Sequence, residues 1–124
     1  MIPLLFAAPP DPAASARPLA IGVKASDVGV TAMDGKRTSL RRAIAGRPVV
    51  LVFYRGGWCP FCNKHLKELA LAANDVKAAG YEIVAITPDR PAEVAKTVGK
   101  EGLPYRILSD PSGEAMRRFG VAFR

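Results

Sequence analysis

The chain has 124 residues, 49% of them hydrophobic, and 18 Lys and Arg against 11 Asp and Glu leave a formal charge of +7. That length suits a single buried core, and no apolar run approaches the roughly eighteen residues that a membrane-spanning helix requires. The basic residues pair only at Lys36-Arg37, Arg41-Arg42 and Arg117-Arg118, without interleaved aromatics, so the charge reads as a solvated surface and not as a nucleic-acid interface.

At the N-terminus, Ile2 to Ala8 is a short apolar stretch and Ala14-Ser15-Ala16 has the small-x-small form of a signal cleavage site. A basic leading region is missing, and Pro9, Pro10 and Pro12 intervene. Residues 1–18 therefore read as a disordered leader, with the remnant of an export signal as the alternative. The first reading places the protein in the cytoplasm and the second in the periplasm. One domain is expected over residues 19–124.

Within it, Ala25 to Thr31 reads as a short extended segment followed by a turn at Met33-Asp34-Gly35-Lys36, where Asp-Gly tolerates positive φ. Thr38 and Ser39 can cap a short helix through Arg42 to Ala45, closed by Gly46. Val49 to Tyr54 is a continuous β-branched and aromatic run, the pattern of a central strand covered on both faces. It runs into Arg55-Gly56-Gly57-Trp58, and Pro60 opens a helix with apolar positions Leu66, Leu69, Ala70, Ala73 and Val76, ending at Gly80. A strand over Tyr81 to Thr87, a helix over Ala92 to Lys100, a strand over Tyr105 to Leu108 and a helix from Ser112 to Phe119 follow. Strand and helix alternating at this spacing predict an α/β layered domain with right-handed crossovers and a mostly parallel sheet.

Two cysteines three positions apart are too few to staple a secreted miniprotein and too close to join distant elements. Their place is more telling. A thiolate, not a thiol, attacks a disulfide or a peroxide, and a helix N-terminus offers unpaired amides and the positive end of the dipole, which can lower a cysteine from about 8.5 to roughly 3.5–7.5. Cys59 is expected in that place. Cys62, almost one turn on, can close a disulfide with it, and lying deeper in the helix it is expected to be the less exposed of the two. Cys59 is thus the attacking residue and Cys62 the resolving one. Inert packing is the alternative, but a junction with two glycines and a proline is a poor hiding place for two thiols. A metal bound by Cys59, Cys62 and His65 would lack a fourth ligand, so no metal or cofactor is expected. Arg55 either stabilises the thiolate or is an exposed strand-end charge. Trp58 either walls one side of the disulfide or caps the core beneath the turn.

With Gly22-Val23-Lys24-Ala25, Asp34-Gly35-Lys36, Ser39-Leu40, Pro48 through Cys62 and Leu108 through Glu114, the stretch Leu19 to Phe119 resembles the alkyl hydroperoxide reductase/thiol-specific antioxidant (AhpC/TSA) family, the peroxiredoxin-like branch of the thioredoxin superfamily. The resemblance covers about four-fifths of the chain. It implies a thioredoxin-like three-layer fold and a peroxidatic Cys59, oxidised by hydrogen peroxide or an organic hydroperoxide to a sulfenic acid that Cys62 condenses into a disulfide, with a thioredoxin-like dithiol as reductant. Arg55, Gly56, Trp58 and Pro60 would support the site. Two departures stand out. Family members carry Thr or Ser three residues before the peroxidatic cysteine and Pro seven before, where this chain has Gly56 and Val52. They also continue with two more strands, a helix and an arginine near the sulfur, so the domain is expected to lack its C-terminal strands, and the apolar edge so exposed invites a homodimer. Beside the peroxidase, Trp58-Cys59-Pro60-Phe61-Cys62 resembles the thioredoxin active site, which makes a thiol–disulfide oxidoreductase the alternative; a redox-regulated interaction module is a third reading.

Overall fold

The structure is a computed structural model that describes residue 14 and residues 16–123. The expected leader therefore lies largely outside the described residues. Of its last residues, Arg17 donates its amide to the Gly120 carbonyl at 2.9 Å, beside a bond from Leu19 to Phe119.

In chain order the elements are β1 (Gly29–Thr31), β2 (Arg37–Ser39), α1 (Leu40–Ile44), β3 (Val49–Phe53), α2 (Pro60–Ala78), β4 (Glu82–Thr87), α3 (Pro91–Glu101), β5 (Arg106–Ser109) and α4 (Glu114–Arg118). The five strands form one sheet in the order β2-β1-β5-β4-β3. β3, β4 and β5 run parallel, with Leu51 opposite Val84 and Ala85 opposite Ile107, while β1 is antiparallel to both β2 and β5. The sheet is thus mixed, parallel only through its β3-β4-β5 half.

Alternation along the strands divides two cores. Tyr54, Ile83, Ala85 and Ile107 face α2 and α3, meeting Leu66 and Val94, whereas Val30, Val84, Ile86 and Leu108 face α1 and α4, meeting Leu40 and Ala115. Helices therefore cover both faces, which gives the three layers expected. Ser39 caps α1 as read from the sequence, its Oγ accepting the Arg42 amide at 3.1 Å. The Asp34-Gly35 turn forms too, with the Lys36 amide on the Asp34 carboxylate and Gly35 at φ 88°.

Two expectations need correction. Ala25 to Thr31 yields a strand only over Gly29–Thr31, and its antiparallel partner Arg37–Ser39 follows the turn where only a helix cap was expected. Two three-residue strands are too short for a pattern to stand out. The second correction is that Val49 to Tyr54 is not central: among the described residues β3 forms one edge of the sheet, and Val50 is 41% exposed. β4 is the strand buried on both faces. An apolar run reports that helices cover a strand's two faces, and β3 has α1 and α2 for that; it does not report whether both edges are hydrogen-bonded.

Candidate active site

Because β3, β4 and β5 are parallel, their carboxyl ends open at one rim of the sheet, where ligands of open α/β folds usually sit. The Tyr54 amide still bonds the Ile86 carbonyl at 3.1 Å, and the chain then leaves the sheet through Arg55 to Trp58. Gly56 takes φ 154°, a conformation that favours glycine, and its carbonyl accepts the Cys59 amide at 3.1 Å. Both backbone groups of Gly57 are clamped. Its N–H donates to Asp89 Oδ2 at 2.7 Å, and its carbonyl accepts from Asn63 Nδ2 at 2.8 Å. Asp89 is itself held by its amide on Thr87 Oγ1 and by the Ser109 hydroxyl on its carbonyl. The loop is therefore tied to the ends of β4 and β5 and to the first turn of α2.

Cys59 is the N-cap of the 19-residue helix α2, extended at φ −92° and ψ 109°, and Pro60 follows at the first helical position, where a missing amide costs nothing. The sulfur does the capping. It accepts the Cys62 amide at 3.2 Å, in the role a Ser or Asp oxygen usually fills. Hydrogen bonds from the Cys62 thiol and the Cys62 amide hold Cys59 below the ordinary thiol range; desolvation opposes them, and the Arg55 charge and the Phe61 amide assist. Cys62 moves the other way. Burial raises it, as does its thiol donating to Cys59, while the amides of Arg55 and Gly56 pull it down. The two sulfurs thus differ in acidity in the sense expected.

Their exposure does not follow the expected order. Cys59 is only 7% exposed, whereas Cys62 is half-buried. Cys59 is buried where its sulfur caps α2, while Cys62 packs against the Tyr54–Leu66 cluster. At Cys59 the hydrogen bonds the sulfur accepts outweigh its desolvation, whereas at Cys62 desolvation leads.

Arg55 is exposed and stacks over the Trp58 ring, 5.2 Å from its centroid. It is both a surface charge and a contributor to Cys59. Trp58 is 67% exposed, so it does not cap the core. With Phe61 it forms an aromatic rim on either side of Cys59 in the chain. At Gly56, where related proteins are expected to carry a hydroxyl side chain, the space is filled: a Cβ would lie 2.6 Å from Trp58 Cδ1, 2.9 Å from Asp89 Oδ1 and closer still to the indole Nε1. His65 lies on the exposed face of α2, and among the described residues no three His, Cys, Asp or Glu side chains gather into a metal site.

Asp89, Asn63, Thr87 and Tyr54 were missed by sequence reasoning. Asn63 lies one turn from Cys59, and Asp89 lies just beyond the strand that pairs with β3 in parallel, so the carboxyl-end rule could have found it.

Known proteins share this family and fold. The model of the AhpC/TSA family matches residues 21–124. A chloroplastic peroxiredoxin Q of Gentiana triflora is 34% identical over 119 residues, covering 91% of this chain and 54% of its own length. The crystal structure of peroxidoxin BcpB from Mycobacterium tuberculosis superposes with a TM-score of 0.73 at 26% identity, over 80% of this chain and 64% of that one. A secreted disulfide oxidoreductase of the same bacterium, described as homologous to E. coli DsbE, superposes with a TM-score of 0.62 at 26% identity, covering 78% of this chain and 70% of its own. The chain thus spans about half the length of the plant relative. Among the described residues no helix is long and apolar enough to cross a membrane.

Proposed function

The chain belongs to the AhpC/TSA family, and from that premise we propose that it is a thiol-dependent peroxidase in which Cys59 reduces hydrogen peroxide or an organic hydroperoxide. The observation that carries this reading is the Cys59 sulfur at the N-cap of α2, accepting the Cys62 amide at 3.2 Å and held below the ordinary thiol range by that amide and the Cys62 thiol.

The Cys59 thiolate attacks one peroxide oxygen, the O–O bond breaks, and the alkoxide or hydroxide leaves with a proton from solvent. Cys59 is then a sulfenic acid. Cys62 gives up its proton and attacks that sulfur as the thiolate, the sulfenic hydroxyl takes up a proton from solvent and leaves as water, and the Cys59–Cys62 disulfide closes across one turn of α2. A thioredoxin-like dithiol restores both thiols, itself becoming the disulfide. Arg55, Gly56, Trp58 and Pro60 support the site: Arg55 by charge, Gly56 by its loop conformation, Trp58 as the rim wall that Arg55 stacks on, and Pro60 by starting the helix.

Rapid mixing of the reduced chain with hydrogen peroxide tests this. A Cys59-dependent loss of thiolate far faster than that of free cysteine is expected; a rate no better than free cysteine removes the peroxidase reading. The second reading, a thiol–disulfide oxidoreductase, draws on the two cysteines one turn apart at the start of α2, with the Cys62 amide on the Cys59 sulfur. It predicts that the same chain reduces a disulfide substrate faster than a peroxide.

A further inference from the structure

Only two buried side-chain polar atoms among the described residues lack a hydrogen-bond partner, the Tyr54 hydroxyl and Asn63 Oδ1, and both lie beneath the active-site loop. Tyr54 is 6% exposed, and Cys62 packs against the core cluster to which its ring belongs. Native proteins rarely leave a buried hydroxyl unpaired unless it serves a state other than the one at rest. Its near neighbours do not remove the vacancy. Tyr105, in the same cluster, already donates to the Leu66 carbonyl at 2.6 Å, and the Thr87 hydroxyl, which receives the Asp89 amide, turns its own proton toward the Tyr54 oxygen, so the proton of Tyr54 is what lacks an acceptor.

A neutral thiol is a weak acceptor, whereas a thiolate is a strong one. We propose that Tyr54 is a positioning residue for Cys62: its hydroxyl donates to the Cys62 sulfur when that sulfur becomes a thiolate, either to close the disulfide or on leaving when the disulfide is reduced. This rests on the dithiol chemistry proposed above but not on peroxide being the oxidant. Burial pushes Tyr54 up to about 12, so it keeps its proton and acts as a donor, not as an acid. The groups that bear on Cys62 are Cys59 on its own helix and the amides of Arg55 and Gly56 in the loop; those that bear on Tyr54 are Thr87, Asp89, Tyr105 and Cys62 itself.

A chromogenic aryl disulfide, dithiobis(nitrobenzoate), separates the two sulfurs. The Cys59 thiolate attacks it, a mixed disulfide forms and one aryl thiolate leaves. Cys62 then loses its proton to solvent and attacks the Cys59 sulfur, and the second aryl thiolate leaves as the internal disulfide closes. In the reduced full chain, Tyr54→Phe is expected to keep the first release within about two-fold, to slow the second roughly ten-fold and to raise its pH midpoint by roughly one unit. A second release with unaltered rate and midpoint overturns the proposal, as does equal slowing of both releases with the midpoint unmoved, which is the mark of a packing defect. If Tyr54→Phe does not fold, difluorotyrosine at position 54 keeps the shape and sharpens the donor. The second midpoint should then fall, and an unmoved midpoint overturns the proposal. A chain inert to hydrogen peroxide that still shows the Tyr54-dependent second release sinks the peroxidase reading and supports this one.

Discussion

Gly56 invites an obvious repair, since Gly56→Thr would place a hydroxyl where related proteins are expected to carry one. The structure predicts that it damages the fold. At φ 154° a residue with a Cβ is strained by roughly 1–3 kcal/mol. The new Cβ would also lie 2.6 Å from Trp58 Cδ1 and 2.9 Å from Asp89 Oδ1. These two neighbours respond differently. Trp58 is exposed and can swing out, losing its stack with Arg55 at about 0.5–1 kcal/mol. Asp89 cannot move without releasing the Gly57 amide it holds at 2.7 Å. Strain and the lost stack together come to about 1.5–4 kcal/mol, and at about 4 °C per kcal/mol for a chain of this size the melting point should fall by roughly 6–16 °C. Thermal melts of the reduced chain followed by circular dichroism measure it. Gly56→Ala should lose nearly as much, because the cause is the Cβ and not the hydroxyl. A Gly56→Thr variant melting within about 3 °C of the parent refutes the reasoning.

Asp89→Ala leaves the Gly57 amide without its carboxylate and should cost about 1.5–3 kcal/mol in denaturant unfolding, with a slower reaction at Cys59 as the loop loosens. Arg55→Gln should raise the Cys59 titration midpoint only slightly, because the hydrogen bonds from Cys62 outrank the charge; high salt should reproduce the shift in the parent and leave the variant unmoved. Stability of the reduced chain should depend on pH through Cys59. Its folded value lies below the ordinary thiol value of about 8.5, so its contribution is complete above that value and is lost as pH falls through the folded value. Cys59→Ser should abolish that slope in urea titrations across the neutral-to-alkaline range.

The sequence made the layered α/β scaffold legible because its signals are local. Ser39, Pro60 and the Asp34-Gly35 turn each act within a few residues, and the apolar spacing of Leu66, Leu69, Ala73 and Val76 already describes the buried face of α2. The placement of Cys59 at a helix start was legible for the same reason. What the sequence could not display is adjacency across the sheet. β3 reads as central because helices cover its faces, yet its position at the edge depends on pairing. Asp89 and Tyr54 join the site only because β3 and β4 run parallel in a register that pairs Phe53 with Ile86. The fill around Gly56 is likewise tertiary: the residue type was visible, but not that Trp58 and Asp89 occupy the space of a side chain.

The central claim is that Cys59 and Cys62 are unequal thiols, the first acidified by its place at the start of α2. Ultraviolet absorbance of the thiolate, titrated in the reduced chain and in Cys59→Ser and Cys62→Ser, measures this directly. The account predicts a step below the ordinary thiol value of about 8.5 that disappears in Cys59→Ser and a second, higher step that disappears in Cys62→Ser. A single transition at or above about 8.5, unchanged by which cysteine remains, contradicts it.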